Sequence, residues 1–204
     1  MPAEPRGTVL VPFKSSPGEI PPAYEVKSTL LTASVEAVKQ RGRFEEYDSR
    51  LTPEAREAIH LGVAGRWLSM EIALTHYASL DALAFTDHEI FDNGRVVGTR
   101  INNTFLGIVL KLAGTAGTTP WTPLEQTGKL FERVFRGGGL QMMRLGPKEA
   151  RIDVVALPVM TSSYFRAALR GQVVAGCELF CKRAYVRELE RATNGSGSFR
   201  VSWV

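Results

Sequence analysis

Cysteine and histidine are scarce in this 204-residue chain, with two and three copies, and each scarcity removes a class of chemistry. A structural zinc site takes four Cys or His ligands, usually as two close pairs, and Cys177 with Cys181 has no second pair to join. The same count excludes a disulfide-stapled secreted scaffold. No apolar run approaches the length of about 18 residues that a membrane-spanning helix requires. The opening stretch MPAEPRGTVLVPFK lacks the apolar segment of a signal peptide. The expectation is a cytoplasmic protein, in a reducing compartment, with no membrane partner. Charge of one sign is scarce too. With 25 Lys and Arg against 21 Asp and Glu, the net charge of +4 is too small for the dense field of a nucleic-acid binder, so nucleic acid is not the expected partner.

The short signatures of catalysis are also missing. There is no G-x-S-x-G elbow, no H-E-x-x-H and no Gly-Lys-Ser/Thr phosphate loop. The glycines of FRGGGLQ follow a helix and precede a strand, the reverse of the order in which a phosphate cradle is built. His88 and Asp92 stand one helical turn apart, but Asp87 and Glu89 beside them read as the acidic first turn that a helix dipole favours. His60 ends a short helix, where a cation suits the dipole. Cys177 and Cys181, at i and i+4 near a helix C-terminus, lack the dipole that activates a redox thiol and read as buried hydrophobes. No catalytic residue, metal or cofactor is assigned, and the chain is not expected to be an enzyme.

What is present is ample apolar content, 44% against 23% charged, enough for one sizeable core. Six prolines in residues 1–22 prevent a helix there, leaving an arm with at most a short edge strand, Thr8 to Val11. Residues 23–204 read as a single domain. Glu25 to Gln40 shows the apolar spacing of a first helix. LTPEAREAIHLG gives a short helix with Thr52 as cap and Pro53 in its first turn. GRWLSMEIALTHYASLDALAF is expected to be helical over about five turns. From Asp87 to Leu112 the apolar steps of three, four and seven favour a helix over the hairpin that Asn93-Gly94 suggests. Gly94 and Gly98 are then tolerable where a neighbouring helix crosses closely. Thr122 with Glu125 makes a capping box for a helix that the triple glycine stops. After it the period becomes two: LQMMRLGPKEARIDVVAL predicts a hairpin, TSSYFRAALRGQVVAGCELFCKR a helix capped by Thr161 or Ser162, and AYVRELER with FRVSWV a second hairpin. The fold class is therefore α+β, a helical N-terminal half packed on a four-stranded antiparallel sheet with one covering helix.

From about Leu140 to Trp203, the Gly146-Pro147 turn, the helix opening Tyr164-Phe165 and carrying Gly171, and the final aromatic-x-apolar-x-Trp strand resemble a paralogous family of uncharacterised domains abundant in myxobacteria. More remotely, the layout is similar to heme-NO-binding and vinyl-reductase-type domains and to subunits of a Golgi transport tethering complex. The resemblance implies the fold and a regulatory, ligand-sensing role, with no activity to carry over.

Two groups of side chains follow as candidate sites. Trp67, His76, Tyr77, Phe105, Tyr164 and Phe165 are expected around a cleft between helices and sheet, as a site for a small apolar ligand. Arg133, Arg136, Arg144, Lys182 and Arg183 are expected to form a positive patch for an anionic ligand or acidic partner, if the hairpin and helix ends converge. A protein partner or self-association through an apolar helix or an edge strand completes the primary expectation, a non-catalytic signalling domain. The alternative is a heme- or metal-dependent sensor, in which His76 would ligate heme iron, although the Tyr-x-Ser-x-Arg type of propionate clamp is not found in the sequence. Nucleic-acid binding ranks behind both.

Overall fold

The structure, a computed structural model, describes residues 7–61, 65–99 and 119–204. Strand β1 (Thr8–Val11) is the segment expected between the prolines. Strand β2 (Glu25–Lys27) takes the residues expected to open the first helix, and α1 (Ser28–Gln40) starts after it. Helix α2 (Phe44–Ser49) precedes α3 (Pro53–His60), where the Ala55 N–H donates to Thr52 Oγ1 at 3.2 Å and Pro53 occupies the first turn, as expected. Trp67 lies in strand β3 (Trp67–Ser69) and not in a five-turn helix; α4 (Met70–Asp81) begins behind it, capped by Ser69. The cause of both shifts is long-range pairing. Val26, fully buried, stands opposite Leu68 on one side and, on the other, Phe135 of strand β4 (Phe135–Arg136), in a three-stranded sheet ordered β3-β2-β4.

Helix α5 covers residues 87–99, so Asn93-Gly94 forms no hairpin; its expected continuation to Leu112 lies outside the described residues. The single helix expected from Thr122 divides into α6 (Trp121–Leu124) and α7 (Thr127–Val134). Thr122 is inside α6 and caps nothing. The Thr127 hydroxyl donates to the Leu124 carbonyl at 2.7 Å, satisfying a carbonyl that a continuous helix would have paired. Helix α7 buries none of its residues fully.

Beyond the glycines, strands β5 (Gly139–Gly146), β6 (Glu149–Val155), β7 (Ala184–Thr193) and β8 (Ser196–Trp203) form the two expected hairpins on either side of α8 (Ser163–Cys177). The fold is α+β. The sheet has five strands where four were expected, because β1 pairs antiparallel with β5 and the order becomes β1-β5-β6-β8-β7. Alternation decides its faces. Ile152 stands opposite Met142 and Phe199, all three buried, so one face of the sheet is apolar and meets α8.

Helix α8 is held from three sides. The Phe165 N–H donates to the Ser162 hydroxyl at 3.0 Å, and Asp81 at the end of α4 accepts from Ser163 Oγ and the Tyr164 N–H, both at 2.7 Å. The third side is α5. A Cβ on Gly94 would lie 2.0 Å from the Ala168 carbonyl oxygen, and one on Gly171 would lie 2.0 Å from that of Phe91. The helices therefore meet backbone to backbone, which offsets the helix propensity lost at glycine, about 1 kcal/mol relative to Ala. No described helix is long and apolar enough to cross a membrane.

Candidate functional site

The apolar stripe of α7, the adjoining face of α8 and the inner face of the sheet do not meet completely. Between them lies a cavity of about 190 Å³ walled by Phe131, Leu140, Ile152, Phe165, Val173 and Phe199 among others. Its polar wall groups are few. Arg170 is paired with Asp87 at 2.7 Å, and burial pushes the Cys177 thiol up to about 12, so it stays protonated. Such walls suit an uncharged apolar molecule better than a charged one. An engineered cavity of about 150 Å³ with similar Leu/Ile/Phe walls stays dry and takes up benzene.

Of the six side chains expected around a cleft, Phe165 alone among those described lines this cavity. Tyr77 packs edge-on behind Phe165 with centroids 5.0 Å apart, and His76 edge-on against Tyr77 at 4.8 Å, all within the core. Tyr164 is buried, and its hydroxyl accepts from Asn93 Nδ2 at 3.1 Å. Trp67 is on the small sheet, with Lys27 Nζ 4.1 Å and Arg136 Cζ 4.4 Å from its ring centroid. It does not line the cavity, because strand β3 puts it elsewhere. Phe105 lies outside the described residues. Phe131, Leu140, Ile152, Val173 and Phe199 line it without having been expected to, because an apolar residue type signals only that something packs on it.

The basic residues divide. Arg144, Lys182 and Arg183 reach one end of the large sheet. Arg136 pairs with Glu25 at 2.7 Å across the small sheet and Arg133 sits on α7, so the five do not form one patch. His60 Nε2 lies 2.8 Å from Asp48 Oδ1, and His88, with 83% of its side chain exposed, 3.2 Å from Asp92. Among the described residues no three of His, Cys, Asp and Glu gather into a metal site.

His76 is fully buried with both ring nitrogens engaged, Nε2 with Ser34 Oγ and Nδ1 with the Tyr47 hydroxyl, each at 2.6 Å. Ser34 Oγ donates to the Leu31 carbonyl at 2.9 Å, so Nε2–H donates to Ser34 and Nδ1 accepts from Tyr47. Burial raises the Tyr47 pKa far above its usual range, which keeps that hydroxyl a donor. Burial also lowers the imidazole pKa to about 3, with His60 acting in the same direction, so His76 is neutral.

No protein-family profile and no curated protein matches the chain. Solved structures do. An Fe(II) unliganded H-NOX protein mutant from K. algicida superposes with a TM-score of 0.62 at 13% identity, over 87% of this chain and 96% of its own. An oxygen-binding H-NOX domain related to soluble guanylate cyclases gives 0.58 at 12% identity, over 87% and 94%. The fold is that of the H-NOX domains. That is the heme-NO-binding layout among the remote similarities expected from the sequence. At such identities the likeness covers the fold of the chain and not its chemistry.

The side chains that ligate heme iron are His, Cys, Met and Tyr, and residues 62–64 and 100–118 contain none of them. Among the described residues of the cavity wall, Cys177 is the one such group, and it is a thiol at neutral pH. His76 has no free lone pair, since Nε2 carries its proton and Nδ1 accepts one. Arg170, the one arginine among the described residues of the wall, is already held by Asp87. These residues do not fit a heme.

Proposed function

We propose that this chain is a non-catalytic, ligand-sensing regulatory domain that holds a small uncharged apolar molecule in the cavity under α8. The observation that carries the reading is the cavity itself: about 190 Å³, with carbon walls contributed by α7, α8 and the sheet. A sensor role also agrees with the fold neighbours, and with the pattern from Leu140 to Trp203 that resembles the myxobacterial domains. A ligand there touches the helical half and the sheet at once, so its occupancy bears on how they sit together.

The neighbours support a second reading, a heme sensor, more directly than they support any other ligand, since they include an oxygen complex and an H-NOX structure that probes heme distortion. The engaged nitrogens of His76 weigh against it. Both readings are tested on the purified chain. Toluene titrated under xenon- or ligand-observed NMR is expected to bind the wild type and not Val173→Phe, whose larger ring fills the void. Toluene that fails to bind, or that binds the variant equally, overturns the apolar-ligand reading. Hemin added to the same protein is expected to give no sharp Soret band; one that disappears in His76→Gln would establish the heme sensor.

A further inference from the structure

We propose that the start of β7, from the Ala184 carbonyl to Glu188, docks an extended acidic segment of a partner protein by strand addition; the Ala184 N–H itself is taken by Glu178 Oε1 at 3.3 Å. The sheet order leaves β7 at an edge, and among the described residues no strand pairs with its far side. Its ladder to β8 runs regularly from Ala184↔Trp203 to Glu188↔Phe199 and then shifts register before Glu190. A bulge of this kind twists an edge away from further pairing, so the usable template is short and ends at Glu188.

The charge around that template is one-sided. Lys182, Arg183, Tyr185 and Arg187 are exposed along it. Arg144 and Lys148 are brought to the same end through the chain terminus: the Trp203 N–H donates to the Lys148 carbonyl at 3.3 Å, and Lys182 N–H to that of Val204 at 3.1 Å. Arg144 stacks 4.2 Å over Trp121, which meets Trp203 edge-on at 4.8 Å. The acids nearby are already engaged: Glu178 by Arg95 at 2.8 Å, Glu188 by Arg166 at 3.2 Å and Glu149 by Arg200. Arg144, Lys148, Lys182, Arg183 and Arg187 form no ion pair with a carboxylate among the described residues, whereas most other arginines do.

The short run of backbone donors and acceptors beyond the Ala184 N–H, beside exposed cations and Tyr185, is matched by an extended peptide, whose main chain fills the ladder while its carboxylates meet the cations. A nucleic acid has no use for the strand edge. A second copy of this chain would bring the same basic end against itself.

The test uses the full chain and a fluorescein-labelled alternating Glu/Val hexapeptide, followed by anisotropy. Binding is expected, weakening with salt. It should be lost when alternate peptide nitrogens are methylated and absent for the Lys/Val counterpart. Lys182→Glu/Arg183→Glu, two exposed changes, should weaken the Glu/Val peptide by about tenfold or more and admit the Lys/Val one. The proposal is overturned by indifference to N-methylation, by an oligonucleotide of equal charge binding as well as the peptide, or by sedimentation showing that the edge is occupied by a second copy. None of these outcomes touches the cavity reading, which toluene tests separately.

Discussion

The buried imidazole of His76 makes the stability of this protein depend on pH in a way that can be worked out beforehand. In the native state its pKa is about 3. In the unfolded chain it returns to about 6.5, so between these values the unfolded state binds a proton that the native state refuses. The contribution is fully present above about pH 6.5 and declines as the pH falls below that, by about 1.4 kcal/mol per unit. At pH 5.0 the loss is about 2 kcal/mol, a visible fraction of the roughly 5–15 kcal/mol that holds a domain of this size together. His76→Gln keeps a donor and an acceptor between Ser34 and Tyr47 but cannot titrate. It should be less stable at pH 7.5, and its loss between pH 7.5 and 5.0 should be smaller than that of the wild type by about 2 kcal/mol. Urea unfolding at the two pH values measures it. Equal losses in the two proteins would refute the placement of a neutral, fully engaged imidazole in the core.

Gly171→Ala drives a methyl group onto the Phe91 carbonyl and should cost about 2–4 kcal/mol in thermal unfolding, whereas Gly18→Ala, with nothing within 4 Å of the added carbon, should be close to neutral. Ser162→Ala removes the acceptor for the Phe165 N–H and should cost about 1 kcal/mol by urea titration. Iodoacetamide at pH 8 should modify Cys181 well before Cys177, which is buried with its pKa pushed up to about 12; peptide mass spectrometry reads the order.

Much of what rests on neighbours within a few residues was legible in the chain. The Thr52 and Ser162 caps, the edge strand from Thr8 to Val11 and the two hairpins flanking α8 all follow from capping, proline placement and alternation over short spans. The close helix crossing was legible too, as glycines inside an apolar stripe. Strand β2 was not. Its three residues continue the helical pattern that follows, and what makes them a strand is β3 and β4, which arrive from far along the chain; the Arg136–Glu25 contact spans 111 residues. The capping box at Thr122 failed within a few residues: α6 starts at Trp121, one position before Thr122, and ends where the Thr127 hydroxyl takes the Leu124 carbonyl.

The site divides in the same way. Phe165 was identifiable as a large apolar side chain opening a covering helix, and it does line the cavity. Tyr77, Tyr164 and His76 carry the same signal and lie in the filled core, since residue type tells that a group leaves water and not what it will touch. Ser34 and Tyr47, 42 and 29 positions from His76, take its nitrogens, and no pattern in the sequence announces that pairing. By itself, then, the sequence determined the α+β class, the elements whose hydrogen bonds are local, and the short supply of metal ligands. Only the tertiary structure decided which histidine nitrogens were taken, which strand edge was left open, and where α7, α8 and the sheet failed to close. A void is a mismatch between surfaces that approach from distant parts of the chain, so no stretch of residues encodes it alone.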